Sequence, residues 1–207
     1  MPVFLKDDRA VLFIHIPKTG GSTIERLFQQ SGWKQRFRET KRSSPRTFPL
    51  RRCSPQHHHA ALLGEIFDIS KFDCVFLVSR DPLSRFRSEY MMRHTENPST
   101  DAESVAAWHD KVFAKRAKNP YHLDNHLRPQ HEFLLPGCEV FRLEDSLEAA
   151  VASLNSRHAL GLSAELPHAL NSERRTGLSS SAVELSPRVE ADLRETYAED
   201  YRTFGYT

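Results

Sequence analysis

The 207-residue chain is poor in cysteine, with only Cys53, Cys74 and Cys138. Three scattered thiols are too few for a disulfide framework, and without a C-x-x-C pair they carry no zinc signature. No apolar run approaches the 18 residues that a membrane-spanning helix needs. The start of the chain also lacks the apolar core of a signal peptide, because Lys6, Asp7, Asp8 and Arg9 interrupt it. An excess of one charge is missing too: 29 Lys and Arg stand against 27 Asp and Glu, a net charge of +2. That balance excludes a surface devoted to nucleic acid. There is no internal repeat and no clear domain boundary. What remains, 39% hydrophobic and 27% charged residues, is the composition of a folded globular chain. A chain of this size buries roughly 70% of its unfolded surface. One domain over residues 1–207, in a reducing compartment, is the expectation.

The chain alternates apolar runs with turn signals. Val11-Leu12-Phe13-Ile14-His15-Ile16 is short and β-rich, the pattern of a strand buried on both faces. Pro17 to Thr23 stops it, and Ile24, Leu27 and Phe28 then recur at helical spacing, with Ser22 or Thr23 expected as the cap. Cys74 to Ser79 reads as a second buried strand, followed by Arg80-Asp81-Pro82 and a helix with Leu83, Phe86 and Tyr90 on one face. Glu139 to Leu143 is a third strand, and its helix opens at Asp145 or Ser146. A last helix starts near Ser186-Pro187, a cap followed by a residue suited to the first turn. Three strand–turn–helix units predict an α/β, P-loop-like three-layer fold: a mainly parallel central sheet flanked by helices, with ligands at the carboxyl ends of its strands. Two stretches read as irregular. Residues 34–52 hold eight Lys or Arg against the single acid Glu39, and residues 163–186 are rich in serine.

The segment Pro17-Lys18-Thr19-Gly20-Gly21-Ser22-Thr23 carries the strongest chemical signal. Two glycines permit a tight turn with consecutive N–H groups, and a following helix N-terminus adds positive partial charge. Lys18 brings a mobile cation and Ser22 and Thr23 bring hydroxyls, so the segment suits phosphate or sulfate. It is not the G-x-x-x-x-G-K-[ST] loop of NTPases, since its lysine precedes the glycines. The strand at 74–79 runs into Ser79-Arg80 where a magnesium carboxylate would stand, which fits a magnesium-nucleotide kinase poorly. Arg80, Arg85, Arg87 and Ser88 form a second cluster. Arg80 and Ser88 suit one phosphate while Lys18 and Thr19 suit another, and the arginine fork bonds phosphate oxygens bidentately. Arg87 fits a solvated basic face better than Arg80 does.

Two phosphate sites without a magnesium carboxylate form a pattern that resembles the PAPS-dependent sulfotransferases. The likeness is greatest to the carbohydrate branch that includes the heparan sulfate O-sulfotransferases and small bacterial relatives. Phe13 to Thr23 looks like that family's 5′-phosphosulfate loop, and Leu77 to Tyr90 looks like its 3′-phosphate motif. Weaker echoes lie at Phe141 to Asp145 and Tyr197 to Tyr206, so the likeness runs over residues 13–206. The resemblance implies that Lys18, Thr19, Gly20, Gly21, Ser22 and Thr23 bind the 5′ end of 3′-phosphoadenosine 5′-phosphosulfate, and that Arg80 and Ser88 bind its 3′-phosphate. Arg174 and Arg175, with Gly177, are expected in a lid over the adenosine and the 3′-phosphate. The products would be a sulfate ester and 3′,5′-ADP.

Transfer to a hydroxyl needs a base that titrates near neutrality, which histidine supplies. In the relatives the base lies between the two cofactor motifs, where this chain has Gln56-His57-His58-His59-Ala60 ahead of a helix with Leu62, Leu63, Ile66 and Phe67 on its apolar face. Either His59 or His57 aligns with it, His59 being placed first, and His58 is expected to face solvent or to support its neighbours. Adjacent histidines diverge on a helix, so no metal is expected there. Asp124 to His131 resembles a stretch lining the acceptor cleft and reads equally as a polar loop. The basic 34–52 segment suits an anionic polysaccharide. The expectation is therefore a sulfotransferase acting on a sugar or polysaccharide hydroxyl, with no nucleic acid partner and no membrane span. Animal relatives carry an N-terminal anchor, and a first strand near residue 11 leaves no room for one, which points to a bacterial-type cytoplasmic enzyme. The competing readings are an ATP- and magnesium-dependent phosphotransferase and a non-catalytic nucleotide- or glycan-binding protein.

Overall fold

The computed structural model describes residues 2–42, 44–167 and 177–207. Two compact units make up the chain, the first from residues 1–79 and 132–169 and the second from residues 80–131 and 170–207.

The first unit holds a five-stranded sheet: β1 (Val3–Lys6), β2 (Arg9–Ile14), β3 (Lys34–Arg36), β4 (Cys74–Ser79) and β5 (Glu139–Arg142), in the order β3-β1-β2-β4-β5. The predicted strands β2, β4 and β5 pair in parallel, Phe13 opposite Phe76 and Leu77 opposite Val140. The sheet is mixed where a mainly parallel one was expected. β1 and β3 add an antiparallel edge, with Val3 opposite both Leu12 and Arg36. β1 carries only the three-residue apolar run Val3-Phe4-Leu5 and β3 none, so β2 recruits β1 and β1 recruits β3, which turns the start of the basic segment into an edge strand.

Helices α1 (Gly21–Gln30) and α5 (Leu147–His158) cover one sheet face. Val11, Phe13, Cys74, Phe76 and Val78 alternate onto that face and pack with Ile24, Leu27 and Phe28 of α1 and Leu147, Val151 and Leu154 of α5. Phe13, Phe28 and Phe76 stack there, with ring centroids 4.9 and 5.9 Å apart along the chain of rings. Ser146 caps α5 by accepting from Ala149 N–H at 3.1 Å, as the sequence indicated. The short α2 (Ala60–Ile66) follows the histidines but buries only Leu63, and Ile66 is 47% exposed. Of the apolar face expected of it, Leu63 is buried, Leu62 and Phe67 are half-buried with Phe67 against Phe37 and Phe72, and Ile66 alone is exposed.

The second unit is helical: α3 (Pro82–Arg93), α4 (Ala102–Lys118), α6 (Pro187–Thr196) and α7 (Ala198–Phe204). Leu83, Phe86 and Tyr90 of α3 share a core with Val105 of α4, Val183, and Val189 and Leu193 of α6. Asp81 and Ser186 cap α3 and α6, each followed by a proline in the first turn. The single expected last helix is two, broken at Tyr197. Among the described residues no helix is long and apolar enough to cross a membrane.

Candidate functional site

The loop after β2 lies at the strand's carboxyl end. Lys18 and Gly20 both adopt positive φ, 72° and 85°, so the backbone turns left-handed twice within three residues. The buried Thr19 hydroxyl donates to Ile16 O at 2.9 Å and ties the turn to the strand it leaves. Gly20 is the cap of α1, and Thr23 N–H donates to its carbonyl at 2.9 Å. Ser22 and Thr23 are thus first-turn residues and not the cap, a correction that follows from the left-handed Gly20. The first N–H groups of a helix have no intrahelical acceptor, so Gly21 and Ser22 open α1 with donors and positive partial charge. Gly20 and Gly21 let the turn pack closely on Leu143, Leu147 and the His15 ring, and Lys18 provides the cation. These features fit an anionic ester of phosphate or sulfate.

His15, read in the sequence only as part of the strand and the motif that follows it, packs against the start of α1. His15 donates through Nδ1 to Glu25 Oε1 at 2.7 Å, and both side chains are buried. Burial raises the Glu25 pKa, but the His15 hydrogen bond and charge, a hydrogen bond from Gln35 and the Arg38 guanidinium outweigh it and hold the carboxyl at about 2. Arg38 Nε lies 3.3 Å from Glu25 Oε2. The His15 ring rests on Gly21: a Cβ there would lie 2.7 Å from Cε1 and nearer still to Nε2. The legible signal was a pair of polar residues in apolar settings, His15 in the β2 run and Glu25 on the buried side of α1.

The histidine triplet divides. His57 is buried, ends a 3₁₀ turn over Pro55–His57, and pairs its Nδ1 with Ser54 Oγ at 3.2 Å. Its ring meets that of His15 edge-on at 5.4 Å. His58 and His59 are half-buried, and His59 is the backbone cap of α2. The basic segment is tied to this turn. Gln56 exchanges hydrogen bonds with the Glu39 backbone at 2.9 and 3.2 Å, and Arg51 is ion-paired with Glu39.

In the second unit, Arg80 follows β4 and is held through its main chain. Its N–H donates to Gln130 Oε1 at 3.0 Å and its carbonyl accepts from Gln130 Nε2 at 2.7 Å. Gln130 is held in turn by Asp200, whose fully buried carboxylate accepts from Gln130 N–H at 2.8 Å, His131 N–H at 2.9 Å and His131 Nδ1 at 2.8 Å. The polar 124–131 stretch is thus largely a buried brace. Arg128 Nε donates to Asn125 Oδ1 at 3.0 Å, and His126 donates to Glu89 at 2.6 Å. Burial pushes Glu89 up, but His126 and Arg93 overcome it and hold its pKa at about 2.

Ser88 is buried on α3. Arg85, beside it in the basic cluster, is buried and donates to the carbonyls of Arg128 and His126 at 3.0 and 2.7 Å. Arg87 donates to Val183 O at 3.1 Å, so the solvated face expected for it is replaced by a fixed contact. Asp81 spends its carboxylate on Ser84 N–H at 2.7 Å, capping α3. Arg174 and Arg175 lie outside the described residues.

The family model described as the sulfotransferase family matches residues 1–207. No curated protein and no solved structure matches the chain.

Proposed function

This chain belongs to the sulfotransferase family, and from that premise we propose that it moves a sulfuryl group from 3′-phosphoadenosine 5′-phosphosulfate to a hydroxyl of an anionic carbohydrate. The observation that carries the reading is the loop after β2, where left-handed Lys18 and Gly20 bring a cation and the start of α1 together. Lys18, Thr19, Gly20, Gly21, Ser22 and Thr23 are assigned to the 5′ end of the donor, and Arg80 and Ser88 to the 3′-phosphate. Arg174 and Arg175 keep their expected place over the adenosine and the 3′-phosphate. The donor supplies the sulfuryl group, and 3′,5′-ADP and a sulfate ester are the products.

The acceptor oxygen bonds to sulfur as the bridging sulfur–oxygen bond breaks, and a histidine takes the hydroxyl proton. His57 and His59 both stand in the segment that resembles the family's base. The burial of His57, its Ser54 partner and its edge contact with His15 favour His57. Lys18 and the α1 N–H groups stabilise charge on the leaving oxygens. The basic residues of 34–52, tied to the histidine turn through Gln56 and Glu39, favour an anionic acceptor.

Calorimetric titration with 3′,5′-ADP, 5′-ADP and ATP with magnesium tests this reading. Micromolar binding of 3′,5′-ADP alone is expected, falling at least about tenfold in Arg80→Ala, the cost of one charge-assisted contact. Lys18→Ala is expected to keep that binding and lose turnover. Preference for ATP with magnesium would replace the reading with phosphoryl transfer, and silence towards all three would leave a binding protein of another kind.

A further inference from the structure

A second cluster of chemically active side chains lies at the other end of the sheet. Cys74 opens β4, Glu139 opens β5, and His158 ends α5. The parallel register places Phe76 opposite Glu139, so Glu139 points to the same face as Phe76 and Cys74, the face that α5 covers. The last residue of α5 therefore meets the first residues of two adjacent strands. One ligand atom from each of Cys74, Glu139 and His158 lies within 4.8 Å of the others. The three line a cavity of about 420 Å³ together with Asp73 and Gly137.

We propose that Cys74 Sγ, a Glu139 carboxylate oxygen and His158 Nε2 form a site for a zinc-type divalent cation, with a fourth position facing the cavity. One thiolate, one imidazole and one carboxylate form a donor set that zinc accepts in tetrahedral geometry. His158 Nε2 and Glu139 Oε1 already face each other in a hydrogen-bonded pair, so the two donors converge on one point. The other carboxylate oxygen, Oε2, accepts from Arg157 at 2.7 Å, and that contact orients the carboxylate while leaving Oε1 for the cation. Burial first, and then the charges of Glu139 and Asp73, push the Cys74 thiol up to about 12, and a bound cation reverses that balance. Binding forms a metal–sulfur bond and releases the thiol proton to solvent, while His158 moves its remaining proton to Nδ1. The sequence spacing shows none of this, because the donors are 65 and 19 residues apart and meet only through strand pairing and the end of α5.

The site sits at the amino ends of β4 and β5, away from the loop after β2, and the cation would clamp two strands to a helix without entering the transfer chemistry. Untagged full-length protein, freed of metal by dialysis against a chelator, is titrated with zinc alone and with cobalt(II) as a spectroscopic probe. One zinc per chain is expected, together with a cobalt–thiolate charge-transfer absorption. That absorption is expected to vanish in Cys74→Ser and to persist in Cys53→Ser, which separates this cluster from the histidine triplet. His158→Gln alters a half-buried residue at a helix end, so it leaves the fold intact and is expected to weaken zinc binding at least about tenfold. Zinc-free Cys74→Ser is expected to bind 3′,5′-ADP as the wild type does. Absence of stoichiometric zinc, or an absorption surviving Cys74→Ser, would overturn the site without touching the nucleotide reading.

Discussion

At Gly21 one hydrogen atom in place of a methyl group decides whether the His15 ring and the start of α1 fit together. The residue is helical, so its backbone alone would accept alanine and gain helix propensity. The His15 ring forbids it, being fixed by Glu25 on one side and stacked on Phe13 with centroids 5.5 Å apart on the other. Gly21→Ala is therefore expected to destabilise the chain by about 1–3 kcal/mol, the usual cost of overpacking. Adding His15→Ala should recover part of that loss, and urea unfolding of the two single variants and the double variant gives the coupling. Strict additivity would show that the two residues do not share the space. The sequence reading gave the glycine an anion-binding turn, but not its contact with His15, because ring packing across a turn leaves no periodic trace.

The helical elements were read where a cap and an apolar repeat agree, and less well where they are weak. β2 and β4 are short apolar runs and β5 has the apolar pair Val140 and Phe141, while Asp81, Ser146 and Ser186 cap α3, α5 and α6. Helix α4 went unread although Asp101 caps it and Val105, Trp108, His109 and Val112 recur at helical spacing. Its charged remainder masks that stripe. The brace behind Arg80 joins the 130–131 turn, α7 and the start of α3, three pieces remote in sequence. Asp200 carries it, accepting three hydrogen bonds in full burial. Asp200→Ala leaves the main-chain N–H groups of Gln130 and His131 unpaired and should cost about 2–5 kcal/mol. Denaturant melts measure this loss, and 3′,5′-ADP affinity should fall alongside it as Gln130 loosens its hold on the Arg80 main chain. Unchanged affinity in the folded variant would separate the brace from nucleotide binding.

For the molecule as a whole, two buried carboxylates set the acid limit. Glu25 and Glu89 are each held at about 2, against an ordinary value of 4.5, by histidine and arginine partners. A carboxyl whose folded pKa is depressed stabilises fully above its unfolded pKa and loses that contribution as pH falls through the folded one. Each is worth about 3 kcal/mol on that basis. The melting temperature should accordingly be nearly constant from pH 7 to about 5 and drop steeply between about 4.5 and 2. Glu25→Gln combined with Glu89→Gln should flatten that drop while lowering stability at neutral pH. An equally steep fall in the double variant would assign acid unfolding to other groups.

The sequence by itself determined the α/β class and the three strand–turn–helix units, and it marked residues 17–23 as the anion-binding candidate, because these readings depend on local periodicity, capping and backbone freedom. The tertiary structure alone decided the antiparallel edge of the sheet, the His15–Glu25 support beneath the loop, the structural use of Arg85 and Arg87, and the brace from Asp200 to Arg80. It also decided the meeting of Cys74, Glu139 and His158. Each of these joins groups distant along the chain, and pairing register and burial, which no local pattern encodes, bring them within hydrogen-bonding or ligand distance.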